Sequence, residues 1–307
     1  MTKGFPKFKK MGAISPNQEP TPFVWNGKLM RVEWVNPSNN PDPRLHVTKG
    51  TALGMPAGIR DCESGEFLSF VGGDIDFPSG YLDGDTMYVL GAVNGKRDTV
   101  KIYESKDLVN WTSRVLFTNP GWYYYNTSLT KGPDGYVLAI EAGQPNEHVG
   151  EHPFTMFFVT SPDLKEWTFM DYDLGFSKER YMGGQWFKYS EGYYYLIAVT
   201  ELPCLRYTNY IYRTKDFHTW EVGYYNPLLS PTEEDRIISS NAHPDLNSQT
   251  IEKIKTGFLA SSSDVDMCDY NGKAYINYLL GNQVGFCYMA EAVYDGTVAE
   301  FLKAQFE

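Results

Sequence analysis

Apolar and aromatic residues along this chain come in short runs, "TMYVLGAV", "GYVLAIEA", "GYYYLIAV" and "KAYINYLL", bounded by Gly, Asn, Asp or Lys. Runs this short, rich in β-branched and aromatic residues and closed by turn formers, predict strands, while amphipathic helical periodicity is almost absent. The chain is therefore expected to be all-β.

Five such runs follow a turn dipeptide: Asn26-Gly27, Asp83-Gly84, Asp134-Gly135, Glu191-Gly192 and Asn271-Gly272. Asn-Gly and Asp-Gly favour the type I′ hairpin because both central residues need positive φ. The spacings are 57, 51, 57 and 80 residues, so the last interval holds an insertion. A second element also recurs, as "SKDLVNWT" at 105–112, "SPDLKEWT" at 161–168 and "TKDFHTWE" at 214–221. It sets Trp111, Trp167 and Trp220 apart by 56 and 53 residues. A period of about 55 residues suits one four-stranded blade. Five turns then predict a single-domain five-bladed β-propeller, with blades over 17–75, 76–120, 124–175, 181–229 and 262–306 and an insertion over 230–261.

In such a fold the inner strands start beside a central channel, and loops on that rim carry function. Seven residues before the five dipeptides stand Glu19, Asp76, Thr127, Gly184 and Asp264. Three carboxylates thus share one place on three blades. Asp264 is followed two positions on by Asp266, and Asp76 is preceded by Asp74, so each pair shares a strand face. Such pairs repel unless a substrate, a proton or a cation relieves them.

Composition narrows the partner. A net charge of -11 and a pI near 5.0 argue against nucleic acid and against an anionic membrane surface. Cys62, Cys204, Cys268 and Cys287 form no CxxC pair, which supports neither a zinc site nor a disulfide framework. The basic start "MTKGFPKFKK" leads into no apolar signal region, and no run approaches a membrane span, so the expected location is cytoplasmic.

The outer "S-x-D-L-x-x-W-T" repeat, the acidic starts of the inner strands and the five blades resemble the five-bladed glycoside hydrolases of families 43, 32 and 117. The stretch "SSDVDMCDYNGKAYINYLLGNQVGFCYMAEAVYDGTVAEFLKAQF", 262–306, is most similar to family 117. The resemblance implies inverting hydrolysis, with an acidic base on the first blade, a second acid tuning it, and a general acid that is Glu in family 43 and His in family 117. "NQEPTPFVWNGK" matches the first-blade pattern with Glu19 where Asp is usual, so Glu19 is the expected base. No His precedes "SDVD"; His243, in "NAHPDL", is the nearest candidate. Asn126 and Thr127 stand where family 43 carries its second acid. The resemblance also allows a divalent cation in the central channel, for which no ligand set can be named.

The expected catalytic residues are thus Glu19, Asp76 and Asp264, with His243 and Glu201 as alternative proton donors. Glu141 in "VLAIEAG" and Glu201 in "IAVTELP" each end a strand among apolar neighbours that favour the protonated form. Glu141, Asn126, Asp266, His148 and Arg206 are expected to contact substrate. Trp122 and Trp186 are the expected stacking platforms for a pyranose face. The loop "GQPNEHVGEHP", 143–153, contains His148-x-x-Glu151-His152, formally an inverted zinc motif, but Gly150 and Pro153 oppose the helix that motif needs. It reads as a rim loop. With "NPSNNPDPRLH" and the insertion, it could close one end of a groove, hence exo action on a small oligosaccharide or glycoside. Two alternatives stand: a glycoside phosphorylase holding phosphate through Arg44, Arg97 or Arg206, and a non-catalytic sugar-binding propeller.

Overall fold

The computed structural model describes residues 6–37, 40, 42–45, 55–150, 154–204, 206–282 and 285–307. Strand β1 (Lys9–Ser15) precedes an antiparallel meander of β2 (Gln18–Trp25), β3 (Lys28–Trp34), β4 (Ala57–Asp61) and β5 (Phe67–Val71). A second meander runs through β6 (Ile75–Asp83), β7 (Thr86–Val93), β8 (Lys96–Ser105) and β9 (Thr112–Thr118). The third comprises β10 (Tyr123–Gly132), β11 (Gly135–Gln144), β12 (Thr155–Ser161) and β13 (Thr168–Phe169), with a short helix, α1 (Asn146–Val149), between its middle strands.

The rest of the chain supplies β14 (Met182–Ser190), β15 (Tyr193–Leu202), β16 (Arg206–Thr214) and β17 (Trp220–Val222). Helix α2 (Ser248–Thr256) follows, then β18 (Ser261–Tyr270), β19 (Lys273–Gly281), β20 (Cys287–Tyr294) and helix α3 (Val298–Ala304). These strands and β1 form one eight-stranded sheet. It consists of two antiparallel groups of four, joined by a single parallel pair, Tyr207 with Ser261. The fold is all-β, and its sheets stack as propeller blades do. β2, β6, β10, β14 and β18 touch one another in turn, and β18 closes back on β2.

β1 closes the last sheet by pairing with β20. Ala13 and Ile14 on it are fully buried, and a buried Ile contributes about 1.5–3 kcal/mol. The repeated Asp-Trp motif forms the outer hairpin of three sheets, between β8 and β9, β12 and β13, and β16 and β17. Asp107, Asp163 and Asp216 each accept two backbone N–H groups of that turn, two and three residues on. This lets Leu108, Leu164 and Phe217 adopt positive φ and turn their side chains into the core. Trp167 and Trp220 donate to the carbonyls of Leu164 and Phe217, so the motif is a self-contained turn lock.

Candidate active site

All five inner strands lose register with their hairpin partners at the same height. The irregularities fall between Gln18 and Thr21, Asp76 and Ser79, Tyr124 and Thr127, Gly183 and Trp186, and Ser263 and Asp266. Bulges of this kind re-aim side chains. Glu19, Phe77 and Asp264 sit in them with φ of 49°, 51° and 49°, and Gly184 with 50°. Positive φ is uncommon for a residue with a side chain and clusters where function demands it. Two hairpins turn one residue away from their Asp-Gly dipeptides, at 84–85 and 133–134. The ring of equivalent positions is therefore Glu19, Phe77, Asn126, Gly184 and Asp264, with Phe77 and Asn126 in place of Asp76 and Thr127.

Three carboxylates converge on this ring. Glu19 accepts a hydrogen bond from the Asn126 side-chain amide at 2.9 Å, and Glu141, buried on β11, accepts one from the Gly184 N–H at 3.0 Å. Gly183 and Gly184 pass between the acids. A Cβ at Gly183 would stand 2.9 Å from Glu141 Oε1, and one at Gly184 would stand 2.7 Å from Asp264 Oδ1. Only a glycine pair lets both carboxylates approach so closely.

Burial, with the charges of Asp264 and Glu141 added, pushes the Glu19 carboxyl well above the usual range, against the Asn126 hydrogen bond. Burial likewise raises Glu141 to about 8 and Asp264 to about 6. None of the three forms a salt bridge among the described residues. The charge of Arg97 reaches Glu141, but its guanidinium is bound to Asp76 at 2.8 Å and to the Tyr124 carbonyl at 3.0 Å.

Asp266 lies deeper in the channel. Burial raises it to about 8, opposed by bonds from the Thr21 hydroxyl, its own strand and the Trp186 indole. Burial raises Asp264, and the register shift between Ser263 and Asp266 breaks the regular alternation that would hold the pair on one strand face. Between them is a cell of about 20 Å³, room for about one water. It is lined by Glu19, Thr127, Gln185, Asp264 and Asp266 among others.

Half-buried aromatic rings form an arc around the mouth. Trp34 meets Phe77 at 4.9 Å, Phe77 meets Tyr125 at 5.9 Å, and Tyr125 meets Phe154 at 4.3 Å. Phe154 then meets Tyr181 at 5.2 Å, and Tyr181 meets Tyr207 at 5.4 Å. Arg97 sits 5.1 to 5.4 Å from the rings of Phe77, Tyr123 and Tyr125, which anchors the middle of the arc. None of these rings is among the platforms expected from the sequence. The available signal is Glu19-Pro20 and Phe77-Pro78, which mark the same bulge on two blades.

Several expected site residues are elsewhere. Asp76 is buried and holds Arg97. His243, buried against Arg31, is held by burial and by that cation near pKa 3, so at neutral pH it is a neutral imidazole and not an imidazolium acid. Trp122 is buried in the core, stacked between Tyr124 and His148, and Trp186 is also core. His148 thus packs on Trp122 from α1; Glu151 and His152 lie outside the described residues. Glu201 and Arg206 are exposed where β15 hands over to β16. Among the described residues, no three His, Cys, Asp or Glu side chains are grouped so as to hold a metal ion. Among the same residues, no helix is long and apolar enough to cross a membrane.

No family model and no curated protein matches the sequence. Solved structures do match the fold. A complex of BT0996 with RGII superposes with a TM-score of 0.62 at 14% identity, covering 95% of this chain and 93% of that protein. A thermostable family-43 glycoside hydrolase gives 0.59 at 12% identity, with 94% and 91% covered. The family 43 endo-arabinanase from Bacillus licheniformis gives 0.53 at 9%, with 94% and 96% covered. The fold is thus like that of family 43 glycoside hydrolases, the branch of the resemblance that these structures support.

Proposed function

We propose that this chain is a single-domain five-bladed β-propeller that hydrolyses glycosidic bonds. The closed ring of five inner strands supports the blade number, with the eight-stranded sheet counted as two blades. One observation carries the activity: three carboxylates, none of them salt-bridged to a described residue, meet at an aromatic-lined mouth, where Glu19 and Asp264 are only half-buried. Neighbouring acids whose protonation differs supply a base and an acid. Near neutral pH Asp264, at about 6, is largely ionised, whereas burial and its acidic neighbours hold Glu19 well above the usual carboxylate range and favour its protonated form. Asp264 then activates water and Glu19 protonates the leaving oxygen. This reverses the role that the resemblance implies for Glu19, because burial and two acidic neighbours favour its neutral form. Glu141, at 2% exposure, stays behind the pair and keeps the Glu19 proton in place.

Inversion requires the two carboxyls to be roughly 6.5–9.5 Å apart, leaving room for the attacking water. Exo action on small oligosaccharides belongs to the same proposal and rests on the length of the insertion over 230–261. Arg97, committed to Asp76, is a poor phosphate ligand, which favours hydrolysis over phosphorolysis. The test is a panel of aryl glycosides with arabinan- and RGII-derived oligosaccharides, read by product analysis with and without phosphate. Released sugar of inverted configuration is expected, without phosphate dependence. Binding without turnover across the panel would leave a sugar-binding propeller instead.

A further inference from the structure

We propose that the cleft between the first sheet and helix α2 is a second sugar subsite that recognises a carboxylate through Lys253. The inference rests on the hydrolase reading and names its substrate class: oligosaccharides containing a uronate unit. The cleft encloses about 200 Å³ and is lined by Gln18, Trp34, Asn247, Gln249, Thr250 and Lys253, among others. It adjoins the acids directly. Gln18 precedes Glu19, and the Cys287 thiol on the cleft wall is raised by burial and then by the charges of Asp264 and Glu19. Trp34 belongs both to the cleft and to the aromatic arc. The arc runs from Trp34 to Tyr207, and the cleft lies on Trp34, with Phe286 on its wall as a second ring.

The chemistry changes across Trp34. On one side are the rings of the arc, suited to a sugar's C–H face; on the other, beside Phe286 and Met55, are amides and a hydroxyl, which both donate and accept, as sugar hydroxyls require. Gln249 and Lys253 stand four residues apart, on one face of α2, and that face lines the cleft. The Lys253 ammonium forms no ion pair or hydrogen bond with any described residue, whereas Arg97 at the mouth is already paired. A lysine on a helix surface is ordinarily just solvated. Lys253 differs in its setting: the chain carries a net charge of -11, and the largely ionised Asp264 stands next door. That field turns anionic ligands away unless a cation of the site's own meets them.

The experiment is calorimetric titration of the wild type, Lys253→Met and Lys253→Arg with trigalacturonate and with the same trisaccharide carboxyl-reduced, alongside steady-state kinetics on whichever is cleaved. A charge-assisted contact predicts that the wild type binds the acidic probe about tenfold tighter than the reduced one. Lys253→Met erases that preference, raising KM and leaving kcat unchanged; Lys253→Arg keeps it. Equal affinity for both probes, binding of neither, or an unchanged preference in Lys253→Met overturns the subsite. Turnover of neutral glycosides alongside any of these results leaves the hydrolase reading intact. An acidic preference with no turnover of any substrate counts against hydrolysis alone.

Discussion

Two groups of buried charge reach into the first sheet, and they are compensated in opposite ways. Away from the channel mouth, Glu33 is fully buried between two cations: Arg31 donates to it at 2.7 Å and Arg60 at 2.7 Å, and Arg60 reaches on to Asp245 of the insertion at 2.5 Å. Asn17 adds a bond to Glu33 at 2.7 Å. Burial alone would raise the Glu33 carboxyl, but Arg60 and Arg31 outweigh it and hold it far below the usual range. Two cations meet two anions, and His243 packs neutral beside them. At the mouth Glu19, Glu141 and Asp264 have no such partners, and all three are raised. A balanced buried cluster fastens the insertion to the first sheet; an unbalanced one retains protons that chemistry can use.

Substitutions at the mouth should produce the largest effect. Glu19→Gln or Asp264→Asn removes one half of the acid/base pair, so kcat/KM should fall by about 10²–10⁴-fold while the protein stays folded. Thermal melts should show unchanged stability for Glu19→Gln, whose carboxyl already favours its neutral form, and unchanged or slightly higher stability for Asp264→Asn, which removes a buried charge. Loss of folding with activity retained per folded molecule would place these acids with the structural cluster.

The converse experiment comes next in size. Glu33→Gln leaves Arg31 and Arg60 buried without their anion, which should destabilise by about 3–5 kcal/mol. Denaturant titration measures it. Activity per folded molecule should be preserved, and Arg60→Met should behave similarly. A wild-type-like melt for both variants would remove the contrast between the clusters.

The contrast is only half legible in the sequence. Strand period, turn dipeptides and the Asp-Trp motif are local signals, so the sheets and their outer hairpins can be read directly. Glu19 and Asp264 can be found because they repeat at one offset. Asp76 cannot be told from Phe77, because a hairpin that turns one residue late shifts the register and exchanges faces. His243 looks free because nothing in "NAHPDL" reveals that Arg31, over 200 positions away, lies against it. The aromatic arc gathers single rings from four sheets and has no linear signature. The strand β1 that completes the last sheet is likewise invisible, because its partner β20 is at the other end of the sequence.

Gly184→Ala tests how tightly the mouth is packed. The residue has φ of 50°, and its new Cβ would stand 2.7 Å from Asp264 Oδ1. Left-handed strain should destabilise by about 1–2 kcal/mol. The displaced carboxylate should lower kcat more than it raises KM, seen in steady-state kinetics beside a melt. An unaltered kcat would mean that Asp264 need not occupy its present place.

The test that compares both clusters in a single protein is the dependence of melting temperature on pH. Glu141 rises from its ordinary 4.5 to about 8 and Asp264 from 3.8 to about 6, so between about pH 4 and 8 the native state holds more protons than the unfolded chain. Stability must then fall as pH rises through that window and level off above it. Glu33 is shifted the other way: its contribution is present above its unfolded value, near 4.5, and is lost as the medium becomes more acidic. The melting temperature should therefore peak near the acidic end of the range, at about pH 5. Glu141→Gln should flatten the decline toward pH 8 without touching the acid limb, and Glu33→Gln should flatten the acid limb without touching the decline. A wild-type curve that climbs steadily from pH 5 to 8 would show that the mouth acids are not raised, and the division of labour between the two clusters would fail with it.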